Sequence, residues 1–116
     1  MMARIVVPKD RQAMVALDYD QASEDQLIEL YYPDDDPEFA LFWDSGIFST
    51  IDNLADTLID RYESEWIEDL TKIDKVIKSK IFDIYIENES LRRNFANLKR
   101  LFEEAYERGT GIYFFF

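Results

Sequence analysis

Apolar residues fall along this chain in two patterns: continuous blocks near the ends, and helical periods between them. Ile5-Val6-Val7, closed by Pro8, reads as a short strand. Ile112-Tyr113-Phe114-Phe115-Phe116 is apolar at successive positions, which predicts a strand covered on both faces and central in its sheet. Residues 10–20 carry no decisive period.

From residue 22 to residue 109 the signals are mostly helical. Ser23 followed by Gln26 has capping-box spacing, and Leu27, Ile28, Leu30 and Tyr31 supply an apolar stripe, so a helix is predicted that ends before Pro33. Asp36 is a good N-cap and Pro37 sits at the favoured first position, predicting a short helix from Glu38 to Asp44 that stops at Gly46. Ser49 is the predicted cap of a longer helix over 50–69. Its inward stripe would be Ile51, Leu54, Ala55, Leu58, Ile59, Tyr62 and Trp66. Thr71 is the predicted cap of another, with Ile73, Val76, Ile77, Ile81 and Ile84 inward and Lys72, Lys75 and Lys78 outward. Residues 81–86 alternate and are rich in β-branched side chains, so a strand competes with the helix there. Asn88 or Ser90 opens the last helix, Leu91, Phe95, Leu98, Phe102 and Ala105 face in, and Gly109 is its left-handed stop. Two terminal strands with helices between them predict a single α/β domain over 1–116: a small, partly parallel sheet with several helices packed on it.

Charge adds a second layer. The net charge is −12, yet residues 1–17 and 70–116 each carry +2, so residues 18–69 hold −16 with Arg61 as their one base. On the predicted 50–69 helix, Asp52, Asp56, Asp60 and Glu63 would share one face, a repulsion of a few tenths of a kcal/mol per pair. A sequence that keeps such repulsion is suited to a cationic partner. The alternative is an acidic face that merely solvates the domain.

The chain contains no histidine and no cysteine, which excludes Ser–His triads, thiol catalysis and the usual zinc sites. Its three glycines build neither a dinucleotide-binding turn nor a P-loop. Asp34-Asp35-Asp36 fails the EF-hand pattern, with Phe39 at the glycine position and Ser45 at the bidentate one. No sugar cleft is marked for paired carboxylates. The lysines and arginines of residues 72–100 are nearly balanced by acids and lie next to the −16 block, so nucleic acid is not an expected partner. A non-catalytic protein with no cofactor and no metal is the expectation. The absence of disulfides, of an export signal and of a long apolar run further predicts a cytoplasmic protein away from membranes.

Two segments resemble a known family. Leu101-Phe102-Glu103-Glu104-Ala105-Tyr106-Glu107-Arg108-Gly109 with the terminal strand resembles the end of barstar-type ribonuclease inhibitors. Tyr31-Tyr32 followed by Ala40-Leu41-Phe42-Trp43-Asp44 is similar to the tyrosine loop and short acidic helix with which those inhibitors plug an active site. Pro33 stands where the family has glycine. The resemblance implies an immunity protein or antitoxin, with Tyr31, Tyr32, Trp43 and Asp44 in contact with a nuclease toxin. From the residues themselves, Asp34, Asp35, Asp36, Asp52, Asp56, Asp60 and Glu63 join them as the acidic part of the face. A nucleic-acid mimic of anti-restriction or anti-CRISPR type and a non-catalytic adaptor subunit remain as alternatives.

Overall fold

The computed structural model describes residues 2–116. Five helices and four strands form an α/β domain whose sheet runs in the order β2-β1-β4-β3. Strand β1 (Ala3–Pro8) pairs with β2 (Leu27–Tyr32) and with β4 (Ile112–Phe115), and β4 pairs with β3 (Ser64–Ile67). Every pairing is antiparallel, which corrects the partly parallel sheet expected from sequence. The reason lies in how the last helix delivers the chain. It ends beside the exit of β1, where the Thr110 hydroxyl donates to the Pro8 carbonyl at 2.8 Å and Arg108 donates to the Lys9 carbonyl at 3.2 Å. A strand that starts there can only run back along β1.

The sheet separates two unequal cores. Alternation places Ile5, Val7, Ile28, Leu30, Tyr32, Ile67, Ile112 and Phe114 on one face. Helices α2 (Pro37–Asp44), α3 (Ile47–Ala55), α4 (Leu70–Lys78) and α5 (Glu89–Arg108) cover it with Phe42, Ile51, Ile73, Leu98 and Phe102, all fully buried. On the back face α1 (Arg11–Asp18) buries Ala13 and Met14 with Val6 and Tyr113, apart from the main core. One helix cannot cover four strands, so the rest of the back face stays open. Strand β4 is central, as its unbroken apolar run predicts.

Three predicted helices are changed. The Ser23–Gln26 capping box forms, but it closes only one 3-10 turn, and residues 27–32 are strand β2. Leu27 to Tyr32 also alternate, and pairing with β1 decides between the two patterns. The predicted 50–69 helix is nine residues long, starts at Ile47 after Gly46 instead of at Ser49, and ends at Ala55, where Asp56 caps it at φ +55°. Residues 64–67 leave it to pair with β4. Leu58, Tyr62 and Trp66 therefore point to solvent and not inward. Helix α4 is capped by Asp69, whose carboxylate accepts from Thr71 N–H at 2.9 Å, so Thr71 is not its cap. Residues 81–86 are neither helix nor strand; Phe82 and Ile86 are buried while Ile84 is exposed. Helices α2 and α5 follow the prediction, with Asp36 and Asn88 as caps and Gly109 at φ +68°. No helix among the described residues is long and apolar enough to cross a membrane.

Candidate binding face

Antiparallel pairing brings several chain segments to one end of the sheet. The start of β1 lies against Tyr32, the end of β4 lies against Arg4 and against Ser64, and Asp34–Asp36 and residues 60–63 run past the same end. Tyr62 stands there, 78% exposed, between two hollows. The first, about 400 Å³, is lined by Asp34, Asp35, Asp36, Phe39 and Arg61. The second, about 460 Å³, is lined by Asp20, Glu63, Arg4 and Phe115. Met2, Tyr62 and Phe116 border both.

The bases at this end are held by their neighbours. The Arg61 guanidinium lies 5.8 Å from the Phe39 ring centre and 5.9 Å from that of Trp43, within cation–π range. Arg4 lies 5.7 Å from the Phe115 ring and donates to Glu29 at 2.7 Å. The back face continues the aromatic surface. Trp66 stacks on Tyr113 at 6.5 Å and Tyr113 on Phe115 at 6.2 Å, while Trp66 and Tyr31 remain about half exposed.

The predicted contact residues divide by location. Asp34, Asp35 and Asp36 form the turn between β2 and α2, with Asp35 at φ +56° and Asp36 capping Glu38 N–H at 2.9 Å. They line the first hollow, and Glu63 lines the second. Tyr31 is exposed on the back face of β2, so the two tyrosines are in a strand instead of a loop. Tyr32 is buried in the core among Phe39 and Phe42 and donates to Asn94 Oδ1 at 2.6 Å, which removes it from the face. Burial, with the Glu38 and Asp36 carboxylates nearby, pushes its phenol well above the ordinary value. Trp43 is half-buried, stacked on Phe48 at 5.4 Å and edge-on to Phe116, so its ring is mainly a core wall beneath Arg61.

The acidic stripe does not form, because α3 ends at Ala55. Asp52 faces its own chain: it accepts from the Thr57 hydroxyl at 2.7 Å and from Ile59 N–H at 3.0 Å. Asp56 is the left-handed cap of α3, Asp60 accepts from Tyr62 N–H at 2.7 Å, and Asp44 is exposed at the end of α2. Asp20, Arg61 and Tyr62 belong to the face and were not picked out from the sequence. The alternation of Tyr62-Glu63-Ser64-Glu65-Trp66 was the available signal, masked by the longer helical period around it. No cluster of three or more acidic side chains among the described residues is arranged to hold a metal ion.

Compared with protein-family models, with curated proteins and with solved structures, the chain matches none.

Proposed function

We propose that this protein is a non-catalytic inhibitor that binds and blocks a basic protein, in the first place a nuclease toxin, through the acid-rimmed end of its sheet. One observation carries the reading: an exposed tyrosine, Tyr62, projects between two hollows whose rims hold Asp34, Asp35, Asp36, Asp20 and Glu63. Tyrosine is among the residues that most often anchor interfaces. A ring of carboxylates around it favours a cationic surface and speeds encounter with one. Nuclease active sites are cationic because they bind phosphates, so they suit this face. The resemblance of the Tyr31–Asp44 segment to barstar-type inhibitors points the same way, although Tyr32 now serves the core. A nucleic-acid mimic would need rows of phosphate-like carboxylates, and the row expected at positions 52, 56, 60 and 63 is broken where α3 ends.

The test is to titrate the protein into assays of small basic ribonucleases and deoxyribonucleases, beside the triple variant Asp20→Asn, Asp35→Asn, Glu63→Gln. The expected outcome is stoichiometric inhibition of a basic nuclease by the wild type. The variant should associate about tenfold more slowly and with a weaker dependence on salt. Equal association rates for the two proteins would remove the electrostatic basis of the reading. Inhibition relieved by any added duplex DNA would favour the mimic instead.

A further inference from the structure

The two edges of the sheet differ in a way that assigns one of them a partner. Edge strands expose unpaired backbone groups, and proteins ordinarily blunt them. Strand β3 is blunted: it is four residues long, and the Glu65 carboxylate accepts from Trp66 N–H at 3.0 Å and from Leu58 N–H at 2.9 Å. Strand β2 is six residues long. Lys9 N–H donates to the Gln26 carbonyl at 2.9 Å, and these residues continue the register in which Val7 faces Ile28 and Ile5 faces Leu30. Hydrogen-bonded pairs alternate in an antiparallel ladder, so Ile28, Leu30 and Tyr32 turn their backbone groups to β1. Leu27, Glu29 and Tyr31 turn theirs outward. Leu27 N–H is taken by the Glu24 carbonyl, whereas the N–H groups of Glu29 and Tyr31 have no hydrogen-bond partner among the described residues. Pro33, which has no N–H, follows.

The surroundings of this edge specify what would pair with it. On the back face a hollow of about 420 Å³ is lined by Leu27, Glu29 and Tyr31 of β2 together with Glu24, Arg4 and Met2. Its one cation, Arg4, is ion-paired with Glu29 at 2.7 Å, so the hollow keeps a net negative charge through Glu24. On the other face Ile28 and Leu30 are only partly buried against the core. A strand added to β2 therefore meets carboxylates and a tyrosine on one side and apolar side chains on the other. A second copy of this chain fits poorly. Two-fold pairing centred on β2 sets Glu29 against Glu29, and each copy carries a net charge of −12.

We propose that β2 is a docking edge that takes an extended segment of a basic protein partner as a fifth strand, with Lys or Arg alternating with apolar residues. The proposal rests on the reading of this protein as an acid-faced binder but not on the partner's being a nuclease. The basic residues would lie beside Glu24, Glu29 and Tyr31, the apolar ones beside Ile28 and Leu30, and main-chain hydrogen bonds would form to Glu29 and Tyr31.

The probe is a blocked peptide of alternating lysine and valine about eight residues long, ordinary strand length, added to the full chain at low salt. Binding should slow hydrogen exchange at the amides of Glu29 and Tyr31. Because residues opposite Glu29 and Tyr31 share their face, the peptide's lysine amides are the ones that point at β2. N-methylation at the lysines should weaken binding about tenfold or more, and N-methylation at the valines should not. In the protein, Tyr31→Pro deletes an outward N–H without touching the ladder to β1, so it should bind the peptide several-fold more weakly than Tyr31→Ala. Equal effects of the two methylation patterns, or binding that leaves the Glu29 and Tyr31 amides unprotected, would overturn the edge while leaving an acidic binding face intact. No binding also overturns it; the nuclease assay, which uses whole basic proteins, tests the broader reading separately. Concentration-dependent protection of the same amides without peptide would assign the edge to a second copy and overturn the proposal as well.

Discussion

Asp52 closes the chain after α3. Its carboxylate takes the Thr57 hydroxyl and the Ile59 N–H, while Glu65 takes the Leu58 N–H from the other side. Together they hold the connection that carries the backbone from the helix layer to the end of the sheet. Asp52→Ala leaves a partly buried donor without its acceptor and is expected to cost about 1–3 kcal/mol, read as a lower urea midpoint. Wild-type stability in that variant would return Asp52 to the surface role its sequence spacing implied. Tyr32 and Tyr113 are the second residue-scale case. Burial raises both phenols above the ordinary 10.0, with Glu68 accepting from Tyr113 at 3.0 Å. A raised folded-state pKa favours the protonated form, so this contribution is complete below pH 10 and declines as pH rises above it, where the unfolded chain ionises first. Ultraviolet titration should show Tyr32 and Tyr113 still protonated in the folded protein at a pH above 10 at which the urea-unfolded chain has ionised them, with stability falling above pH 10. Ionisation of Tyr32 and Tyr113 at the same pH in the folded and unfolded protein would contradict it.

The strand pair β3–β4 depends on one residue without a side chain. A Cβ on Gly111 would stand 2.9 Å from the Ile67 carbonyl oxygen and 3.1 Å from Glu68 Cγ, so strand and backbone have to separate to admit it. Gly111→Ala is expected to destabilise by about 1–3 kcal/mol and to loosen hydrogen-exchange protection in β3 before β1. Uniform loss across the sheet would show that β3 does not open by itself. At this scale the sequence was most readable where the local signal and the tertiary partner agree. Asp36-Pro37 opens α2, Asn88 and Gly109 bound α5, and the apolar run at 112–116 lies at the sheet centre. It was least readable at 27–32 and 56–67. There Leu, Ile, Tyr and Trp satisfy a helical and an alternating period together, and what decides is the unpaired edges of β1 and β4, which no local window contains. The face was half legible for the same reason. Asp34–Asp36 and Glu63 stand out by charge, but Tyr62 and Asp20 join them only through the pairing of strands distant in sequence.

Over the whole molecule the charge becomes a division between regions. Of the acids in residues 18–69, Asp20, Asp34, Asp35, Asp36 and Glu63 line the hollows at the end of the sheet, while Asp44, Asp52 and Asp56 lie on or at the ends of α2 and α3. On α4 and α5, Lys78 bonds Asp74, Lys99 bonds Asp83, Arg108 bonds Glu104, and Arg93 reaches Glu38 of α2. Raised pKa values for the exposed Lys78 and Lys99 trace first to the hydrogen bonds with those partners. Residues 70–116 sum to +2, so the anionic excess lies within residues 18–69, and Asp20, Asp34, Asp35, Asp36 and Glu63 are the part of it that lines the face proposed for binding. Concentrated like charge destabilises a compact state and is screened by salt over about 8–10 Å at physiological ionic strength. Two consequences separate a functional acidic face from a structural one. Raising ionic strength from about 0.01 M to about 0.15 M should raise the thermal midpoint, since it relieves repulsion faster than it weakens the few exposed ion pairs. Neutralising Asp20, Asp35 and Glu63 as Asn, Asn and Gln should leave the midpoint unchanged or raise it. Asparagine keeps the left-handed backbone that Asp20 and Asp35 adopt at φ +56°. If the triple variant melts lower and salt brings no gain, these carboxylates stabilise the fold, and the case that their repulsion is retained for a cationic partner fails.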